Sequence, residues 1–89
     1  MVKKRERLEI IKDILSSVKS KGEIKPTRLL YASNLSPQMF KKYIGVLLER
    51  KLIEEIEIKK RKYFSLTDKG LRFLGEYKII VNFIETFGI

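Results

Sequence analysis

The chain's 89 residues include 20 Lys+Arg against 11 Asp+Glu, a formal charge of +9, and no His, Cys or Trp. Disulfides, thiolate chemistry, thiolate-bound zinc, imidazole bases and His-ligated metals are therefore excluded. Length allows one small domain, for which pairing with a second copy is a natural completion, and 44% hydrophobic residues mark it as folded despite its charge.

Met1 to Arg7 is charged, with Lys3, Lys4, Arg5 and Arg7 forming a basic arm around Glu6. No signal peptide is recognisable there, and the expected location is the cytoplasm. Over residues 4–20, Leu8, Ile11, Ile14, Leu15 and Val18 recur at spacings of three and four, one face of a first helix that Lys21-Gly22 closes. Glu23-Ile24-Lys25 is a connector or a single bridge of strand. Pro26, at a first helical position, opens a short second helix to Ala32, with Leu29, Leu30 and Ala32 as packing residues. Ser33-Asn34-Leu35 is a turn. Ser36 as N-cap and Pro37 after it start a third helix that runs to about Lys51. Phe40, Ile44, Leu47, Leu48 and Lys51 share one side of it, and Gln38, Lys42, Gly45 and Glu49 share the other, with Lys41 at its edge.

Two helices joined by a tight turn make a helix-turn-helix. Beyond it the chain alternates, Ile56 and Ile58 against Glu55 and Glu57, which is strand periodicity. Lys59-Lys60-Arg61-Lys62 follows, then Tyr63 to Leu66 as a second strand with Phe64 and Leu66 on one face. The pair is a hairpin with a basic tip, a wing, whose turn type stays open because the tip holds no Gly, Asn or Pro. Thr67 caps the last helix and Asp68 complements its dipole. From Leu71 the apolar residues include Phe73, Leu74, Tyr77, Ile79, Ile80, Val81, Phe83, Ile84 and Phe87. That stripe is too wide for a helix with its back in water, so it is buried on several sides or meets another chain. Lys78, Asn82 and Glu85 interrupt the apolar end, which is also too short to span a bilayer. The expected fold is mainly α with a small β hairpin, a winged helix-turn-helix of order α-α-α-β-β-α. Residues 1–66 form its DNA-binding part and 67–89 a C-terminal dimerisation helix within the same domain.

The run Thr27-Arg28-Leu29-Leu30-Tyr31-Ala32-Ser33-Asn34-Leu35-Ser36 is the most specific signal, joined by Tyr43-Ile44, Leu52-Ile53 and Tyr63-Phe64-Ser65-Leu66-Thr67-Asp68-Lys69-Gly70. Over about residues 8–76 the chain resembles the crenarchaeal 10a-type DNA-binding proteins of the winged helix-turn-helix superfamily. The resemblance implies a homodimer of archaeal type that binds duplex DNA, either as a regulator or with tolerance of sequence. It also implies a long last helix that forms an antiparallel coiled coil between subunits. The stripe here is broader than an a/d seam and departs from that pattern.

The residues expected to contact DNA are Lys59, Lys60, Arg61 and Lys62 at the wing, on phosphates or in the minor groove, and Ser36, Gln38, Lys41 and Lys42 near the start of the third helix, in the major groove. Arg28 on the second helix is placed to hold a phosphate, and Tyr31 beside it is either a further contact or half core. Gly45 on the recognition face is unusual in a helix and either allows close approach or has no functional reason. Leu74, Tyr77, Ile80, Val81, Phe83, Ile84 and Phe87 are the expected dimer interface. Phe64, Phe73, Phe83 and Phe87 fall on apolar faces, leaving Tyr63 and Tyr43 as the only aromatics suited to stacking on single strands. No spaced catalytic set and no phosphate-cradling glycine loop is present, so neither an enzyme, a metal site nor a cofactor is expected. The expected function is duplex-DNA binding by a homodimer, as a transcriptional regulator. The alternatives are a chromatin-like packing protein and a winged-helix module for protein interaction. RNA ranks below them because an A-form major groove is too narrow for a helix.

Overall fold

Ile14, Leu15 and Val18 are fully buried along one face of α1 (Lys4–Lys21), the helix that the apolar spacing predicts. The computed structural model describes residues 4–88, with side chains from Arg7 onward. Gly22 takes φ +76° just past α1, and its N–H reaches back to the Val18 and Lys19 carbonyls. Leu8, on the same stripe, is exposed and lines a groove against the last helix instead of entering the core.

The connector is a strand. β1 (Glu23–Ile24) pairs antiparallel with β3 (Arg61–Leu66), Glu23 opposite Ser65 and Ile24 opposite Phe64. β3 also pairs with β2 (Ile53–Ile58), so the expected hairpin is the larger part of a three-stranded sheet of order β1-β3-β2. Between them lie α2 (Pro26–Ser33) and α3 (Pro37–Glu49), separated by Asn34 at φ 59°. Ser36 caps α3, its hydroxyl accepting from the Met39 N–H at 3.2 Å.

α3 stops two residues before the predicted end. Leu52 N–H bonds the Leu47 carbonyl at 2.9 Å and Lys51 N–H the Leu48 carbonyl at 3.1 Å, a Schellman closure with Lys51 at φ 60° where Gly is usual. Lys51, assigned to the apolar side of the helix, is therefore exposed beyond it. Tyr43 is buried in the core with Ile44 and Leu47, which removes it as a stacking platform.

Ile53 stands opposite Leu66 and Glu55 opposite Phe64, so these four share a face. Ile53 and Phe64 are its buried members. Ile56 and Ile58 lie on the other face, across from Tyr63 and Arg61, and are only half-buried. Glu55 stays exposed on the core-side face because the wing runs out beyond the core.

Thr67 fixes the base of the wing. Its hydroxyl accepts from the Gly70 N–H at 3.0 Å, capping α4 (Asp68–Phe87), and shares its proton between the Lys51 and Leu52 carbonyls at 2.6 and 3.0 Å. Gly70 is buried, and a Cβ there would overlap the Leu52 carbonyl. The Leu66-Thr67-Asp68-Lys69-Gly70 run thus joins the end of α3 to the start of α4. Among the described residues, no polar or charged one belongs to the core.

Candidate nucleic-acid interface

The exposed residues of α3 are Pro37, Gln38, Lys41, Lys42, Gly45, Val46 and Glu49. From Gln38 onward their spacings of three and four place them on one face, opposite the buried Tyr43, Ile44 and Leu47. Gln38, Lys41 and Lys42 are therefore brought together on an accessible surface. Ser36 is exposed beside them, with its hydroxyl engaged as the cap. Sequence reasoning missed Val46, which is 43% exposed at the edge of this face. No heavy atom lies within 4 Å of where a Cβ on Gly45 would stand, so the fold itself does not require glycine there.

On α2 the exposed residues are Thr27, Arg28, Tyr31 and Ala32, while Leu29 is buried. Tyr31 is 75% exposed and is not half core. It stands one turn from Arg28 on the same face. Of the N-terminal arm, Lys3 lies outside the described residues, as do the side chains of Lys4 and Arg5; Arg7 is exposed.

The wing turns on two residues only, Lys59 and Lys60, at φ 49° and 66°. Positive φ at both central positions is a type I′ turn, which normally selects Asn-Gly because a Cβ crowds the backbone there. Arg61 and Lys62 belong to β3, across from Ile58 and Glu57, and all four basic residues are exposed. Lys62 Nζ lies 3.9 Å from Glu55 Oε1, an exposed pair of little energetic weight. The turn therefore projects Lys59 and Lys60 as its apex, with Arg61 and Lys62 one step behind on opposite faces of the strand.

The exposed apolar face of α4 differs in membership from the expected interface. Ile79 is 68%, Phe83 57% and Phe87 63% exposed, and Leu71 is exposed on the same i+4 row. Phe83 and Phe87 contact each other, with ring centroids 4.6 Å apart. Ile79 and Leu71 were not among the expected interface residues. Of those that were, Ile80 and Ile84 are exposed, Tyr77 and Val81 are half-buried, and Leu74 packs partly against the core of its own chain. Leu8, Phe73, Tyr77, Ile80, Val81 and Ile84 line the groove between α1 and α4. Among the described residues no group of three or more Asp or Glu is placed to hold a metal ion, and no helix is long and apolar enough to cross a membrane.

The family model described as "Winged helix-turn-helix" matches residues 4–85. The chain belongs to that family. Two uncharacterised proteins of Methanocaldococcus jannaschii are related to this winged helix-turn-helix chain, one 36% identical over 81 residues and one 39% identical over 67. The alignments cover 91% and 75% of this chain but only 36% and 64% of those relatives. Among solved structures, Sso10a-2, a DNA-binding protein from Sulfolobus solfataricus, superposes with a TM-score of 0.72 at 21% identity, over 90% of this chain and 82% of that one. F93 from STIV, a winged-helix DNA-binding protein, gives 0.68 at 21% identity, over 91% of each chain. A point mutant of MepR from S. aureus gives 0.77 at 17% identity, over 88% of this chain and 61% of that one. At these identities the likeness is one of fold, and it agrees with the resemblance to the crenarchaeal 10a-type proteins.

Proposed function

We propose that this winged helix-turn-helix protein binds duplex DNA as a homodimer and acts as a transcriptional regulator. The observation that carries the reading is the set of exposed cations on α3 and at the wing apex, two of them held in a turn that disfavours their side chains. A fold gains nothing internally from Lys59 and Lys60 at positive φ; a polyanionic partner supplies the reason. α3 enters the major groove with Gln38, Lys41 and Lys42 toward base edges and phosphates, and Ser36 at its N-terminal end. The wing lays Lys59, Lys60, Arg61 and Lys62 along the flanking backbone or minor groove, and Arg28 holds a phosphate. Residues 1–66 are the DNA-binding part and 67–89 the dimerisation helix. The face of Ile79, Ile80, Phe83, Ile84 and Phe87 meets its symmetry mate, consistent with the need of a small domain to cover apolar surface. The solved structures of like fold that are named as DNA-binding proteins support this, as does the lack of a His or Cys for catalysis. The protein is read as a cytoplasmic binding protein and not an enzyme.

The test is a gel shift with random and candidate operator duplexes, with the wild type and a Lys59→Ala/Lys60→Ala/Arg61→Ala/Lys62→Ala variant. The reading expects a shift at low salt that the variant loses while keeping its oligomeric state. Absence of any shift at low salt contradicts it. A second reading, a packing protein, is favoured by the run of consecutive wing cations, which suits phosphate more than bases. Protection of one discrete site supports a regulator; even coverage of any fragment supports packing.

A further inference from the structure

We infer that Val46 on α3, beside the small Gly45, reads the 5-methyl group of thymine, so that the protein prefers A·T pairs within its major-groove contact. The inference rests on the duplex-DNA reading and adds a base preference to it. Gln38, Lys41, Lys42, Gly45, Val46 and Glu49 occupy one exposed face of α3, and Val46 is the only apolar side chain among these six. It is 43% exposed at the edge of this face, between exposed Lys42 and buried Tyr43, so its own core leaves much of the side chain uncovered. Gly45 beside it sits inside a 13-residue helix, where glycine is among the least favourable residues. Open space surrounds the position its Cβ would take, so no neighbour within the chain demands glycine either.

What the missing side chain leaves is clearance outside the helix. An α-helix with its side chains is about 10–12 Å across and the B-form major groove about 12 Å wide, so a glycine on the inward face lets the backbone sit closer to the base edges. Val46, about 100° further round the helix, is then the apolar group brought against the side of the groove. There the thymine methyl is the one apolar feature by which a protein distinguishes base pairs. Lys41 and Lys42, one turn earlier, supply the charge that draws this face to DNA rather than to an apolar protein surface. Gln38, about 12 Å back along the axis, reaches a base roughly three pairs away, where Gln pairs with adenine.

The experiment measures binding of the full chain, by fluorescence anisotropy, to an alternating dA·dT duplex about two helical turns long. A matched duplex carries deoxyuridine in place of every thymidine, which removes the methyls and keeps charge and base pairing. Wild type is expected to bind the thymine duplex more tightly, by roughly fourfold for each methyl buried. Val46→Ala is expected to bind both duplexes alike, near the wild-type affinity for the uracil one. Gly45→Ala is expected to raise the unfolding temperature while weakening binding to the thymine duplex several-fold, a split that a merely structural role for glycine would not produce. Equal wild-type affinity for the two duplexes, or a thymine preference that survives Val46→Ala, overturns this inference and leaves duplex binding standing. No binding to either duplex at low salt overturns the duplex-DNA reading, and this inference with it.

Discussion

Lys59 and Lys60 hold the conformation that Asn-Gly is made for, at a cost of roughly 1–2 kcal/mol for each left-handed residue. Replacing them with Asn and Gly removes both the strain and two charges. The double substitution is expected to stabilise the fold by about 1 kcal/mol or more, which is roughly 4–8 °C in the unfolding midpoint of a domain this size. In the same protein DNA affinity is expected to fall, because two phosphate-directed cations are gone. Calorimetry and a binding isotherm on one preparation check both halves; gain in stability with affinity unchanged would remove the wing apex from the interface. Gly70 is the opposite case. Its missing Cβ is demanded by the Leu52 carbonyl, so Gly70→Ala is expected to destabilise by about 1–3 kcal/mol, read as a lowered denaturation midpoint. The sequence marks Gly70 within a recognisable run, but its burial depends on a contact with the distant Leu52, which no local pattern reports. The same holds for Tyr43, whose hydroxyl suggests a surface while its helical position points it into the core. The Lys59-Lys60 turn is illegible for a different reason: the residues are not those that favour it.

At the scale of elements, caps and periodicity carry most of the information. Ser36-Pro37 and Thr67 mark helix starts because each hydroxyl has an orphan N–H to satisfy, and both hydrogen bonds are present. Thr67 does more than cap, since it also bonds the carbonyls of Lys51 and Leu52 and so ties the exit of the wing to the end of α3. Thr67→Ala is expected to cost about 1–2 kcal/mol. Thr67→Ser is expected to restore most of it, and urea denaturation of the pair checks this. The sequence leaves β1 open between a connector and a single bridge of strand because two residues have no periodicity; Ile24 becomes a strand only when Phe64 lies across from it. The faces of β2 are likewise set by partners. Alternation groups Ile56 with Ile58, yet the buried residue is Ile53, placed by its pairing with Leu66 at the end of the strand nearest the core. Of the candidate site, the face of α3 is legible from helical spacing, whereas Val46 stands at the boundary between that face and the core, where an apolar residue fits either side.

At the scale of the whole molecule, the radius of gyration is 13.7 Å, above the roughly 12 Å of a compact chain of this length, because α4 runs on past the core. Its far half carries Ile79, Phe83 and Phe87 on the side away from the chain's own core. Phe83→Asp with Ile84→Asp is expected to convert a dimer to a monomer that remains folded, with weaker binding where two half-sites act together. Sedimentation gives the mass and circular dichroism the fold; an unaltered mass would show that this face does not hold the dimer. Pairing would double the +9 charge and set the spacing between two α3 helices. Arg28, Lys41, Lys42, Lys59, Lys60, Arg61 and Lys62 are all exposed on the elements assigned to DNA.

The most direct test of that assignment is the salt dependence of affinity for a duplex of random sequence between about 50 and 200 mM salt. If those seven cations touch phosphate, the logarithm of the affinity falls against the logarithm of salt with a slope approaching about −6 for each subunit, and removing the four wing cations flattens it by up to about 4. Affinity unchanged across that range, or a slope that the wing substitutions leave untouched, would contradict the account.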